Sequence, residues 1–318
     1  MSTSVRVVGY LLGLLVVFLA ARGVGAVAAP EPAPPPPMAH DDMGASEGED
    51  EHSGTEEESE AHGDHDEPDP AASADGPGGL AVSDQGYTLR IVALPRPGSG
   101  QQLQFVVDGP DGKPVTSYDE VHERFLHLVA IRRDGADYHH LHPTLREDGT
   151  WTAPLRLSSG TTRLFADFTP TDGPALVLGT DVHVDGDYEP MAPPEVTRTV
   201  TVDDYQVRLA GTLAGGSSSK LTAVITRNGK PVTDLQPYLG AYGHLVALRE
   251  GDLAYLHVHP EEAGAGPRIP FVAEIPSNGR YRLFLEFRHD GAVHTAGFTL
   301  AAGEGYADAH GEEAGHEH

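Results

Sequence analysis

The sequence predicts an all-β chain: two tandem immunoglobulin-like β-sandwiches with disordered acidic, His-containing tails and an N-terminal apolar segment. Three observations predict it. The 318-residue chain repeats itself, because Gly112-Lys113-Pro114-Val115-Thr116 and FLHLVAIRRDGADYHHLHP (125–143) return 117 residues later as Gly229-Lys230-Pro231-Val232-Thr233 and YGHLVALREGDLAYLHVHP (242–260). Within each copy, short runs of alternating or continuous apolar residues are punctuated by Gly- and Pro-containing turns. No stretch inside either copy shows a capped apolar period of 3.6 residues. A repeated unit of about a hundred residues is a domain rather than a solenoid repeat.

Along the chain, residues 1–28 have the layout of a secretory signal peptide: one positive charge at Arg6, the apolar run Val7–Ala21, and Ala26-Val27-Ala28 at the end. Read through residues 7–29, the same segment is an uncleaved membrane anchor. Either reading places the remainder outside the cytoplasm, secreted or anchored. Residues 29–79 form an acidic, Pro-rich tether with the polyproline run Pro34–Pro37 and no Lys or Arg between Arg22 and Arg90. Such a composition cannot offset its ordering entropy. The first sandwich, residues 80–186, contains the strand patterns YTLRIV (87–92), QLQFVVDG (102–109), TTRLFADF (161–168) and LGTDVHV (178–184). A Pro-rich linker covers 187–198. The second sandwich, 199–302, answers with YQVRLA (205–210), LTAVITRNG (221–229), RYRLFLEF (280–287) and HTAGFTL (294–300). Residues 303–318 are a disordered His/Glu tail.

A formal net charge of −27 excludes nucleic acid and anionic membrane surfaces as partners, since those are bound through Lys and Arg; the membrane is met only through the N-terminal segment. The absence of cysteine excludes disulfides, thiolate metal sites and thiol nucleophiles, so each domain stands on its own apolar burial. No G-x-S-x-G, H-E-x-x-H or Gly-rich phosphate loop occurs, and the chain is not read as an enzyme.

The chemistry lies in the repeated histidines. His127, His140 and His142 align without gaps with His244, His257 and His259. Each set sits on two apolar strands flanking a short polar turn, which reads as a hairpin. Pairing Arg132 with Asp137 makes opposed positions sum to 269 and sets His127 across from His142; the second copy, with an equal turn, sums to 503 and sets His244 across from His259. Side chains alternate faces, so all three histidines of a copy share one face, with opposed Cβ atoms about 5 Å apart. Three neutral imidazoles suit Cu(II), Zn(II) or Ni(II), of which copper and zinc are the expected ions. Asp167 in FADF and Glu286 in FLEF occupy matching places one strand later and offer a carboxylate as ligand or as partner to a ligand. The alternative is that these are structural histidines bonded to one another, to Tyr138 or Tyr255, or to backbone. The sequence leaves the core face open, since Leu126, Leu128 and Ala130 are apolar and so are Val129 and Ile131. His139 faces Leu256 in the alignment and is not expected to be essential. His122, His183, His289 and His294 are unmatched and read as surface or packing residues. His40–His65 and His316-Glu-His318 are tracts of the kind that collect divalent ions weakly.

In these residues, above all in DLQPYLGAYGHLVALREGDLAYLHVHP (234–260), the chain resembles a family of actinobacterial exported or membrane-anchored tandem β-sandwich proteins described as hypothetical secreted or heavy-metal-binding-domain proteins. The resemblance spans Gly79 to Leu300 and implies fold and location. More loosely, the layout is similar to that of CopC-like and YtkA/FixH-like domains; the Met-rich loop of the former is missing, which tells against Cu(I). The expected function is extracytoplasmic binding of divalent copper or zinc through duplicated His clusters and His-rich tails, each hairpin acting as an independent site. The competing expectation is a non-catalytic scaffold that binds another envelope protein.

Overall fold

The computed structural model describes residues 77–95 and 102–303, an all-β structure; the expectations for the signal or anchor segment, most of the tether and the C-terminal tail lie outside those residues. The first copy contains Ser83–Asp84 (β1), Tyr87–Ala93 (β2), Leu103–Asp108 (β3), Tyr118–Asp119 (β4) and Leu126–Arg132 (β5). It continues with His139–Leu141 (β6), Thr144–Leu145 (β7), Trp151–Ala153 (β8), Gly160–Pro170 (β9) and Leu176–Val184 (β10). The strands form two sheets, β1-β2-β3-β8-β7 and β10-β9-β5-β6, the strand order of an immunoglobulin-like sandwich. Between them, Leu103, Phe105, Leu126, Leu128, Ala130, Trp151 and Phe168 make the core. The Trp151 indole N–H donates to the Tyr118 hydroxyl at 3.1 Å, so the largest core side chain buries no unsatisfied donor.

The second copy runs through Thr199–Val202 (β11), Tyr205–Gly211 (β12), Ser217–Arg227 (β13), Lys230–Pro231 (β14) and His244–Arg249 (β15). Tyr255–Pro260 (β16), Arg268–Ile275 (β17), Gly279–His289 (β18) and Ala292–Ala302 (β19) complete it. Here the two layers join into one sheet, because β16 pairs with β17 as well as with β15. Tyr205, Phe271, Tyr281, Phe287 and Phe298 fill its core.

Both hairpins adopt the register expected from turn length. Val129 opposes His140 and Leu128 opposes Leu141 in the first; Val246 opposes His257 and Leu245 opposes Val258 in the second. A one-residue slip would have moved every histidine to the other face.

The ambiguity over which face is core has a physical answer: both are buried. Leu126, Leu128 and Ala130 point into their own sandwich, whereas Val129 and Ile131 join Phe165 in a third cluster shared with Val246, Leu248, Leu253, Tyr255 and Phe284 of the second copy. The two sandwiches therefore pack against each other through the His-bearing faces. The contact is reciprocal. Tyr138 stacks on Phe284 with centroids 3.8 Å apart, and Tyr255, its counterpart in the repeat, packs on Phe165, the counterpart of Phe284, at 5.4 Å. Like the isologous interface of a two-fold dimer, each copy offers the other the same patch. Phe284→Ala should cost about 3–5 kcal/mol, the range for emptying a buried aromatic position. A two-step chemical unfolding curve is then expected in place of the parent's single transition; an unchanged midpoint would count against the interface as a source of stability.

Candidate metal centre

The centre is built where the apolar interface turns polar. β5 carries His127 at one end of the shared face, 3% exposed, with Val129 and Ile131 behind it. β6 brings His140, whose side chain is fully buried, and His142 follows immediately beyond β6 at the position the register sets beside His127, with ring centroids 5.2 Å apart. One donor atom from each of His127, His140 and His142 lies within 4.8 Å of the others, so the three can hold a metal ion. Among the described residues no other group of three His, Asp or Glu is so arranged.

The expectation of two independent clusters is corrected here. His140 Nδ1 lies 2.8 Å from Glu286 Oε2 of the second copy, 146 residues away. His244 is 3% exposed and stacks on both His127, at 5.5 Å and 10°, and His140, at 4.9 Å and 15°. Its ring thus lies nearly parallel to both, packed against the centre. The physical reason is the face-to-face packing of the copies, which brings the equivalent histidines together. Asp167 lies beside His127 on β9, as Glu286 lies beside His244 on β18. Each carboxylate is engaged across the interface, Glu286 by His140 and Asp167 by Tyr255, and Glu286 is also bonded by Tyr238 of its own copy. Of the second triad, His259 sits on β16 opposite Val272 of β17, and His257 is placed by register opposite Val246, its side chain lying outside the described residues.

The hydrogen bonds assign the protons. His127 Nε2 lies 3.1 Å from the Val121 carbonyl oxygen, which only accepts, so that nitrogen carries N–H. His140 Nδ1 faces the Glu286 carboxylate, and an ionised carboxylate also only accepts, so it too carries N–H. That leaves His127 Nδ1 and His140 Nε2, 3.1 Å apart, each presenting a lone pair to the other. His142 Nε2 is buried nearby with no hydrogen-bond partner. Facing lone pairs need a proton or a cation between them. Burial disfavours the proton: it is the main cause lowering the His127 pKa to about 4 and the His142 pKa to about 3, with neighbouring histidines pushing the same way. In tetrahedral coordination, Zn–N bonds of about 2.0–2.1 Å put two donor nitrogens about 3.3 Å apart, close to the separation found.

Sequence reading missed His122. Its ring packs against His127 at 6.2 Å and His244 at 5.8 Å. It stands on a tight turn, Val121–Arg124, closed by reciprocal backbone bonds of 2.9 and 3.1 Å, with His122 and Glu123 both at positive φ, 49° and 61°. The second copy makes the same turn from Tyr238 to Ala241 with Leu239 and Gly240. Gly240 was the available signal: it marks a left-handed position where the first copy tolerates Glu123 and places an extra imidazole over the centre. His289 and His294 lie elsewhere and are engaged by other groups, His289 by Tyr205 and Asp234 and His294 by Asp203.

The fold and centre define a class: a tandem immunoglobulin-like β-sandwich protein whose two repeats meet around a buried His cluster. The chain belongs to the family described as domain of unknown function DUF8832, which matches residues 81–186 and again 200–304. No curated protein matches it. Among solved structures it is similar to the adhesin FdeC of Escherichia coli at 19% identity, over 72% of this chain and 66% of that one, with a TM-score of 0.21. Domains 4 and 5 of the S-layer protein SbsC match at 8% identity, over 70% of this chain and 98% of that one, TM-score 0.20. The adhesin InvE of Yersinia pseudotuberculosis matches at 13% identity, over 70% and 60%, TM-score 0.19.

Glu286→Gln should weaken ion binding about 10–100-fold, the usual effect of removing the group that orients a metal-bound histidine. An amide leaves His140 a hydrogen-bond partner and removes the charge. A calorimetric titration giving unchanged affinity would show that the carboxylate contributes nothing to the ligand set.

Proposed function

We propose that the protein is an extracytoplasmic binding protein for one divalent ion, Cu(II) or Zn(II), held between its two sandwiches by His127, His140 and His142. The observation that carries this is the pair of opposed lone pairs on His127 and His140, with the unpartnered His142 nitrogen beside them. All three donors are neutral nitrogens, which favours borderline divalent ions over Ca(II) or Mg(II). Glu286 supplies a negative charge that offsets part of the ion's, and His244 and His122 shield the site from water. The apolar face behind His127 keeps it rigid. Buffering or passing on the ion suits such a site better than catalysis, since a closed His cage leaves little room for a substrate. The His-rich tails, outside the described residues, would capture ions weakly and raise their concentration near the core.

The test is a melting curve of the full chain with and without one equivalent of Zn(II) or Cu(II). Only an ion bound to folded protein stabilises it, by about 2.7 kcal/mol at a free concentration one hundred times Kd. Tails bind equally well when the domains unfold and add nothing. A clear rise in melting temperature is expected. An unchanged curve, with ions still taken up, would leave the tails as the only metal-binding part and the histidines as structural.

A further inference from the structure

Arginines in this chain hold carboxylates in a recurrent way. Arg90, Arg132, Arg133 and Arg249 each present the side-on edge formed by Nε and Nη2 to both oxygens of Asp108, Asp134, Asp181 and Asp252 respectively. Arg282 departs from the pattern. It is 8% exposed, its Nη1 donates to Thr299 Oγ1 at 3.1 Å, and its Nε is buried with no acceptor. Among the described residues no carboxylate is hydrogen-bonded or ion-paired to it: Glu250 acts on it only through space while paired to Arg280, and the Phe284 ring centroid lies 5.4 Å from its guanidinium carbon. A buried guanidinium is ordinarily paired, because leaving one without a counter-charge costs several kcal/mol.

The repeat supplies the comparison. Arg163 is the counterpart of Arg282, and its Nε is likewise unbonded, but its terminal nitrogens reach the Asp181 carboxylate at 3.4 Å and the carbonyls of Gly79 and Leu80 at 2.6 and 2.8 Å. The segment leading into the first sandwich thus covers its arginine. The linker leading into the second does not. The Pro194 carbonyl accepts from Arg280 instead, and Met191, Pro193 and Pro194 stand as one wall of a cavity of about 190 Å³ that Arg282 lines. Every other charge on that cavity is already engaged. Asp134 holds Arg132 and the Met191 N–H, Glu250 holds Arg280 at 2.9 Å, and Arg133 holds Asp181.

We infer that Arg282 anchors a binding site for a small carboxylate, seated in this cavity between the first hairpin, the linker and β18. The free edge is Nε with Nη2, the edge that four other arginines of this chain use for aspartate, and its two parallel N–H groups match the two oxygens of a planar carboxylate. The volume lies below the range for larger ligands and suits a molecule the size of acetate. Occupancy would complete the charge pairing of Arg282 at the interface.

The probe is sodium acetate, added to the metal-stripped full chain while the arginine Nε–H resonances are followed by NMR, with sodium chloride at matched ionic strength and inorganic phosphate as comparisons. Arg282→Lys assigns the resonance by its loss. Acetate is expected to displace that one resonance saturably, and chloride is not. In Met191→Trp, which fills the exposed mouth and leaves the guanidinium in place, the resonance is expected to remain and its response to acetate to vanish. An Arg282 resonance that stays still, that moves equally with chloride, or that responds to phosphate and not to acetate overturns the assignment. So does a full acetate response in Met191→Trp.

Discussion

His127→Phe is expected to abolish the stabilising uptake of Cu(II) or Zn(II) while leaving the fold in place. The phenyl ring can keep the stack on His244, at 5.5 Å and 10°, and it fills the same buried volume. What it removes is one nitrogen donor of three. The two that remain cannot close a tetrahedral site, and affinity should fall by at least about 100-fold, the upper end of the loss seen when only an outer partner is changed. The Val121 carbonyl loses its hydrogen bond, a cost of about 1 kcal/mol, and the disappearance of the opposed lone pairs acts in the other direction. Melting of the metal-free variant should therefore stay within a few degrees of the parent, while the rise on adding Zn(II) disappears. A variant that still gains the full increment would show that the ion binds elsewhere. Unchanged uptake with a strongly lowered melting temperature would mark His127 as a structural residue.

Acid should destabilise the metal-free protein steeply, and the sign follows from the direction of the shifts. His127 is lowered to about 4 and His142 to about 3, each chiefly by burial. In the unfolded chain both titrate near 6.5. Between those values the unfolded state binds protons that the folded state refuses, so stability is full above pH 6.5, falls as pH drops below it, and stops falling once pH passes about 4 for His127 and about 3 for His142. At about 1.4 kcal/mol per unit, His127 alone accounts for on the order of 3 kcal/mol. Melting temperatures between pH 8 and pH 4 should hold level and then decline below 6.5, with a smaller decline in His127→Phe. A parent curve flat down to pH 5 would contradict the burial of neutral imidazoles. The ion should be released over the same range as protons compete for the donors.

Much of this was legible beforehand, for identifiable reasons. The constant offset of 117 residues between the histidines gave the repeat, and equal turn lengths gave the hairpin register, later seen as Val129 opposite His140 and Val246 opposite His257. Those are local properties with a period of two. Which face the histidines occupied was not legible, because Leu126-Leu128-Ala130 and Val129-Ile131 are both buried, one set in the sandwich and the other between sandwiches. A strand covered on both sides loses the alternation that would orient it. The bond from His140 to Glu286 was beyond reach for a related reason: a contact across 146 residues leaves no periodic trace. Asp167 and Glu286 were singled out by their matching positions, and each is engaged by a side chain of the opposite copy, Tyr255 and His140 respectively. His122 was discounted for lacking a counterpart, although the turn that carries it does have one, marked by Gly240.

An ion seated between His127 Nδ1, His140 Nε2 and His142 Nε2 is observed most directly by imidazole nitrogen NMR of those atoms. Before metal is added, long-range proton–nitrogen spectra should show the N–H of His127 on Nε2 and that of His140 on Nδ1, as their bonds to Val121 and Glu286 require. One equivalent of Zn(II) should then move His127 Nδ1, His140 Nε2 and His142 Nε2 together into the range of metal-bound nitrogen, with His244 changing only slightly. If those three nitrogens keep their positions while histidines of the tails shift, the ion does not bind in the interface.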